Sequence, residues 1–405
     1  MATQAQALSF APTQQMITDA DASLMHIVAR PGVVFVRGKG SYMWDADDRR
    51  YLDFIQGWAV NCLGHSPPVL VRALSRQAKV LLNASPALHN PLIIETAKLL
   101  TENSALDRVF FASSGAEANE GALKLARRYG QKHRNGAFEV ITTWNSFHGR
   151  TLAMMSATGK QAWEPLFEPK VPGFVKVPFN DLTAMRKAIT PNTAAIMVEP
   201  VQGEGGVNVA TKRYMKGLRE LCDETGVLLI LDEIQTGIGR TGSLFAYEQF
   251  DIEPDIMTLG KGLGGGFPVS ALLSKEKVSV FEPGDQGGTY CGQPLAMIAA
   301  KTVIEEMLRK NIPRKAKNRG NYLKRQLKFM SKEFGFTDVR GMGLLVAADL
   351  PQEKGPAIVA KALEEGLLIN APGAATLRFM PALTISRAEI DEMIEILRKV
   401  LRAVL

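Results

Sequence analysis

Six short runs of the chain dominate any fold it can adopt: RVFFAS from Arg108, FEVITT from Phe138, AAIMVEP from Ala194, VLLILDE from Val227, DIMTL from Asp255 and VSALLS from Val269. Each is apolar or β-branched at consecutive positions rather than at alternate ones. A strand with that pattern must be covered on both faces, which points to a mostly parallel sheet flanked by helices. Helical or loop stretches of tens of residues separate most of the runs, long enough for crossovers. Only a glycine loop separates the last two, so that pair is expected to form an antiparallel hairpin.

The texture differs at the two ends. After a polar arm, VVFVRGKGSYMWDADDRRYLDF from Val33 reads as short strands around a glycine turn. PLIIETAKLLTE from Pro91 has helical spacing. Beyond Lys301 one long charged helical stretch leads into FTDVRGMGLLVAADL, EEGLLIN and ATLRFMPAL, and a final helix starts at the capping box SRAE from Ser386. Strands and helices grouped this way predict a smaller α+β domain of roughly 100 residues. At 405 residues the chain is long for a single core.

Composition narrows the class. With 46% hydrophobic and 22% charged residues, wholesale disorder is excluded. The net charge of +7 comes from scattered residues without basic blocks or interleaved aromatics, so no nucleic-acid partner is expected. Cys62, Cys222 and Cys291 lie far apart and the histidines show no ligand spacing, so neither a disulfide framework nor a metal site is expected. The polar first twenty residues lack an apolar signal core, and no apolar run approaches about 20 residues. A cytoplasmic protein without a membrane segment is the expectation.

Chemistry-bearing residues gather where these strands end. In TLGKGLGGGFPVS, Lys261 stands among glycines just after DIMTL. A P-loop would need glycine and Ser or Thr where Asp255 and Gly262 stand, so a nucleotide triphosphatase is excluded. An incidental surface lysine is the plain alternative. A lysine at a strand's carboxyl end, with small neighbours leaving room above the chain, is also a candidate for covalent attachment to a carbonyl. LLILDEIQTGIGRTG places Asp232 and Glu233 at another strand end, either as a turn cap or as a fixed carboxylate facing a protonated ring nitrogen. FFASSGAEANEGALKLARRYG runs from strand to helix through Ser114, Gly115 and Ala116. Its Ser114–Glu117 capping box also makes an anion seat. TWNSFHGRT sets Phe147 and His148 beside Arg150, and VEPVQGEGG adds Glu199 and Glu204.

Gly237, Gly239 and Gly242 satisfy GxGxxG, with Asp255 downstream. The first glycine lies too far beyond the strand, and Asp255 starts a strand instead of ending one. A nicotinamide-dependent dehydrogenase therefore rests on this pattern alone.

A phosphate cradle, an aromatic plate, an acid and an amine at successive strand ends are what pyridoxal 5'-phosphate needs. The stretches SSGAEANEGALKLAR, FHGRT, EPVQGEGG, LLILDEIQTGIGRTG and LGKGLGGGFP strongly resemble the class III aminotransferases of the fold-type I pyridoxal-phosphate enzymes, most of all their acetylornithine/ornithine branch. The resemblance runs from about Val33 to the C-terminus. It implies a mostly parallel seven-stranded sheet in a large domain over residues 66–305. An N-terminal arm and small-domain segment would occupy 1–65, and a small C-terminal α+β domain 306–405.

The same resemblance assigns roles. Lys261 would hold the cofactor covalently, Asp232 would face its ring nitrogen, Gln235 its ring hydroxyl, and Phe147 would stack on the ring. Ser114, Gly115 and Ala116 would seat the phosphate, and Thr289 would reach it from the partner subunit of a homodimer. Arg150 would hold a substrate carboxylate and Arg378 the α-carboxylate of glutamate, with Glu204 neutralising Arg378 and swinging aside. The implied activity is ping-pong transfer of an amino group from N-acetylornithine, succinylornithine or ornithine to 2-oxoglutarate. A 4-aminobutyrate or diamine aminotransferase is the nearest rival, ahead of an aminomutase or racemase. GWAVNCLGHSPP and ALHNP depart from the family where substrate side chains are held, which leaves the amino donor open.

Overall fold

The computed structural model describes residues 11–405; the first ten residues of the N-terminal arm lie outside it. Three short antiparallel strands come first: β1 (Phe35–Lys39), β2 (Tyr42–Asp45) and β3 (Arg50–Asp53). The part of the arm that is described carries a helix, Thr13–Ser23, where the sequence suggests only a polar lead-in.

Seven strands then build the central sheet: β4 (Arg108–Ala112), β5 (Glu139–Thr143), β6 (Phe174–Val177), β7 (Thr193–Val198), β10 (Leu228–Asp232), β11 (Ile256–Leu259) and β12 (Ser270–Ser274). Between β7 and β10 lies a two-rung hairpin, β8 (Val201–Gln202) and β9 (Asn208–Val209). The order across the sheet is β4-β12-β11-β10-β7-β5-β6. Neighbours from β11 to β6 are parallel, whereas β12 runs antiparallel to both β11 and β4. The hairpin expected from the glycine loop is therefore present.

The continuous apolar runs have a direct cause. Ala195 and Met197 of β7 enter one core with Leu228 and Ile230, while Ile196 and Val198 enter another with Leu229 and Leu231. Successive side chains point to opposite faces, so each strand feeds two cores and has no solvated face to mark with polar residues. β6 lacks this signal. As an edge strand it pairs only with β5, and Lys176 interrupts its short FVKV run.

The C-terminal part holds β13 (Asp338–Met342), β14 (Leu345–Asp349), β15 (Leu367–Leu368), β16 (Asn370–Gly373) and β17 (Thr376–Phe379). Four of these form a sheet in the order β13-β14-β17-β16, and β15 instead pairs in parallel with β3. The long charged stretch is two helices, Pro294–Arg309 and Ile312–Phe334. Asn311 at φ +48 and Pro313 just beyond it stop one helix and start the next. The last helix begins as read, with Ser386 accepting a hydrogen bond from the Glu389 backbone.

Candidate active site

Parallel strands present all their carboxyl ends along one edge, and the loops leaving β4, β5, β7, β10 and β11 converge there. They enclose a cavity of about 280 Å³, lined among others by Gly115, Ala116, Phe147, Arg150, Glu204, Gln235 and Lys261. Asp232 lines it as well, so eight of the eleven residues given roles by the family resemblance are brought together here.

Asp232 ends β10 with a buried carboxylate that is fully held in place. His148 Nδ1 and Asn119 Nδ2 each lie 2.8 Å from its Oδ2, and the Ile234 backbone N–H donates to Oδ1. Asn119 donates also to the His148 carbonyl at 2.7 Å and accepts from Thr258 Oγ1 at 2.7 Å. A carboxylate accepts only, so His148 must present Nδ1–H to it. Nearby, Glu199 accepts from the Phe147 N–H. Burial and then the charge of Asp232 push the Glu199 carboxyl well above its ordinary range.

Lys261 follows β11 with φ +41, a left-handed conformation in which a side-chain-bearing residue is strained. Glycines on both sides, Gly260 and Gly262, let the backbone accommodate the turn. Burial lowers the Lys261 amine from its ordinary value, against the opposing pull of Glu204, Asp232 and Glu199. A depressed amine in a cavity is a better nucleophile than an ordinary lysine.

The helix Gly115–His133 starts at the cavity wall. Its cap is Ser114, whose hydroxyl is committed to Glu117 as hydrogen-bond acceptor from the backbone and donor to the carboxylate. Gly115 and Ala116, not Ser114, face the cavity. A Cβ at Gly115 would come within 2.8 Å of Ile234 Cδ1, so glycine is what lets the helix start press against the β10 loop. Both polar atoms of the buried Gln235 amide lack partners among the described residues. Buried amides are rarely left so, and this one lines the cavity, which fits a polar ligand such as pyridoxal phosphate.

A second charged group borders the first. Arg378 is fully buried, with Nε on Asn370 Oδ1 at 3.1 Å and Nη1 on both the Gly203 carbonyl and Glu204 Oε1, each at 2.7 Å. Burial alone would raise the Glu204 carboxyl, but Arg378 and Lys261 outweigh it and hold the acid below its ordinary value. Phe147, also in the lining, meets Trp163 edge-on at 5.8 Å, and Arg150 lies over the Trp163 ring at 4.6 Å.

Thr289 is exposed on the single chain and does not line the cavity. Asn119, Thr258 and the Asp232 contact of His148 escape the sequence reading. The one usable signal is the helical period, which puts Asn119 on the same buried face as Ala118, Ala122 and Ala126. The GxGxxG segment has another job: Arg240 within it donates to the Leu344 and Pro381 carbonyls. Asp255 accepts from the Leu229 N–H and pairs with Arg219, so no acid stands ready for a ribose.

The chain is similar to known proteins. A profile of the class-III aminotransferases matches residues 26–401. Acetylornithine aminotransferase 2 of Bordetella bronchiseptica is 54% identical over 385 residues, covering 94% of this chain and 97% of that protein. The acetylornithine aminotransferase of Methanocaldococcus jannaschii is 46% identical over 383 residues, 93% of this chain and 95% of its own. Among solved structures, the ornithine aminotransferase of Toxoplasma gondii superposes with a TM-score of 0.93 at 32% identity, over 98% of this chain and 96% of that one.

Proposed function

The chain belongs to the class-III aminotransferases, pyridoxal-phosphate-dependent transaminases, and from that membership we propose that it moves the terminal amino group of N-acetylornithine to 2-oxoglutarate. Succinylornithine and ornithine are the related donors. The observation that carries the reading is the Glu204–Arg378 pair beside Lys261: a buried guanidinium with a displaceable counter-ion suits a pocket that must admit two substrates with different reacting ends. The high identity to acetylornithine aminotransferases favours that donor over 4-aminobutyrate or a diamine.

The bound cofactor supplies an electron sink for the charge left when a proton leaves the substrate carbon. Everything else falls to the chain. Lys261 Nζ would hold the cofactor covalently until the substrate's amine displaces it, and the freed amine would then take that proton and return it as base and acid. Asp232, fixed by His148 and Asn119, sets a negative charge against the ring nitrogen. The Gly115 and Ala116 backbone N–H groups at the helix start seat the phosphate, with the Ser114 hydroxyl spent on its cap. The Gln235 amide takes the ring hydroxyl and Phe147 covers the ring. Arg150 holds the donor's carboxylate, and Arg378 holds that of glutamate once Glu204 yields.

We assign the Thr289 role to a homodimer, the hydroxyl entering the partner's site. Its neighbour Tyr290 is 60% exposed, and Val80 at 79% and Leu88 at 65% add apolar surface suited to a second copy. We place the enzyme in the cytoplasm, where the dispersed free cysteines stay reduced. A single-turnover panel of amino donors, followed by loss of the bound cofactor's visible absorbance, tests the function. N-acetylornithine should react faster than 4-aminobutyrate; protein that stays colourless after reconstitution would overturn the reading.

A further inference from the structure

On the sheet β13-β14-β17-β16, Arg340 of β13 stands opposite Ala347 of β14, which stands opposite Arg378 of β17. Residues directly opposite in antiparallel strands share a face, so both guanidiniums rise from the same side, two strand spacings or about 10 Å apart. Both reach the same short loop. Arg378 donates to the Gly203 carbonyl at 2.7 Å, and Arg340 donates to the Gly206 carbonyl from Nε at 3.0 Å and Nη2 at 2.7 Å. That loop is the tip of the β8–β9 hairpin, and Glu204 sits between the two anchor points. Asp349 holds Arg340 in turn, with Oδ1 on Nη2 at 3.0 Å, and Asp338 pairs with Nη1 at 2.9 Å.

We propose that Arg340 is a positioning residue for Glu204, keeping the acid aimed at Arg378 while a donor occupies the cavity. The two anchors differ in kind. The Arg378 anchor is loosened whenever an incoming carboxylate engages that guanidinium, whereas Arg340 does not line the cavity and has its own carboxylates. It therefore keeps the loop in place through the exchange and returns Glu204 to its partner. A Cβ at Gly203 would overlap Gln235 Oε1 at 1.5 Å, so the loop also lies hard against the cofactor-side wall. Without Arg340, Glu204 spends less time on Arg378, leaving a bare buried guanidinium that disfavours a donor and favours a dicarboxylate.

This inference rests on the proposed function, and its test separates the two. Stopped-flow absorbance would follow both half-reactions in the wild-type holoenzyme, Arg340→Ala, Arg340→Lys and, as a reference, Glu204→Ala. Arg340→Ala should slow the N-acetylornithine half by about tenfold and leave the glutamate half within about threefold. Arg340→Lys, which keeps a cation for Asp349 but has fewer donors for Gly206, should fall between. Glutarate, an unreactive dicarboxylate, should bind Arg340→Ala several times more tightly by titration. Equal loss in both halves with unchanged glutarate affinity would mean a merely structural arginine and overturn the inference. If Arg340→Ala does not fold, an Arg340→Lys enzyme with wild-type ratios and glutarate affinity overturns it equally. A wild-type enzyme lacking both half-reactions would instead reject the proposed function.

Discussion

His148 Nδ1 lies 2.8 Å from Asp232 Oδ2, and both side chains are buried, the imidazole at 1% exposure. The histidine's other nitrogen, Nε2, has no partner among the described residues, so its hydrogen bonding is spent on the acid. Replacing it strands a buried carboxylate with one donor fewer. His148→Ala should weaken cofactor affinity by roughly 10- to 100-fold, the equivalent of about 1–3 kcal/mol. Fluorescence titration of the apoenzyme checks this; unchanged affinity would refute the dependence of Asp232 on His148.

Lys261 has an amine depressed by burial, and the consequence for stability has a definite sign. Between its lowered value and the ordinary lysine range, the unfolded chain binds a proton that the folded chain does not. Stability of the cofactor-free protein therefore falls as pH drops through that window and levels off below it. Lys261→Met should melt at a higher temperature than the wild-type apoprotein, with a gap that widens as pH falls from about 10. The same variant should lack transamination. Thermal melts across pH and an activity assay together decide it.

Arg378 is buried with an acid for company, and truncating it takes away the one guanidinium that Glu204 is paired with. Arg378→Ala should lower kcat/KM for the 2-oxoglutarate half-reaction by about 100-fold or more, and the donor half far less. Separate pre-steady-state measurements of the two halves are the check. A common loss would reject the division of labour between Arg378 and Arg150.

Gly115 has no room for a side chain, because Ile234 Cδ1 would stand 2.8 Å from an added methyl. Gly115→Ala should push the helix start away from the β10 loop and weaken cofactor retention. Dialysis against a competing amine should strip the variant faster than the wild type. Inorganic phosphate should then protect it less well against heat, since the seat for the phosphate is displaced.

Thr289 can be tested in mixed dimers. Co-expressing Lys261→Ala with Thr289→Ala chains gives heterodimers in which one site is intact only if the threonine enters from the partner. Random pairing makes half of the dimers mixed, each with one complete site, so about a quarter of wild-type activity should return. Activity no higher than that of Thr289→Ala dimers alone would place the threonine in its own site.

Much of this site could be read along the chain because a parallel sheet sends every strand's carboxyl end to one edge. Knowing where VLLILDE and DIMTL end is nearly enough to bring Asp232 and Lys261 together. The Arg378–Glu204 contact spans 174 residues and no local pattern announces it; resemblance to a family supplied it. Asn119 was hidden for another reason. The helical period puts it on a buried face, but nothing local says which partners it meets until the opposing strands bring Thr258 and Asp232 against it. β6 was missed because an edge strand with a lysine carries only half the pattern of its neighbours.

The pairing of β15 with β3 has a bearing on biosynthesis. Leu52 and Asp53 leave the ribosome 315 residues ahead of Leu367 and Leu368, their partners in the ladder. Until the distal segment emerges, a nascent hairpin with an open flank must wait through synthesis of the whole central layer. Sequence-distant closure of this sort slows maturation and exposes a sticky border to other polypeptides. Truncation shortly before position 367 should accordingly yield aggregates that recruit chaperones, even though every residue that lines the cavity has already been made.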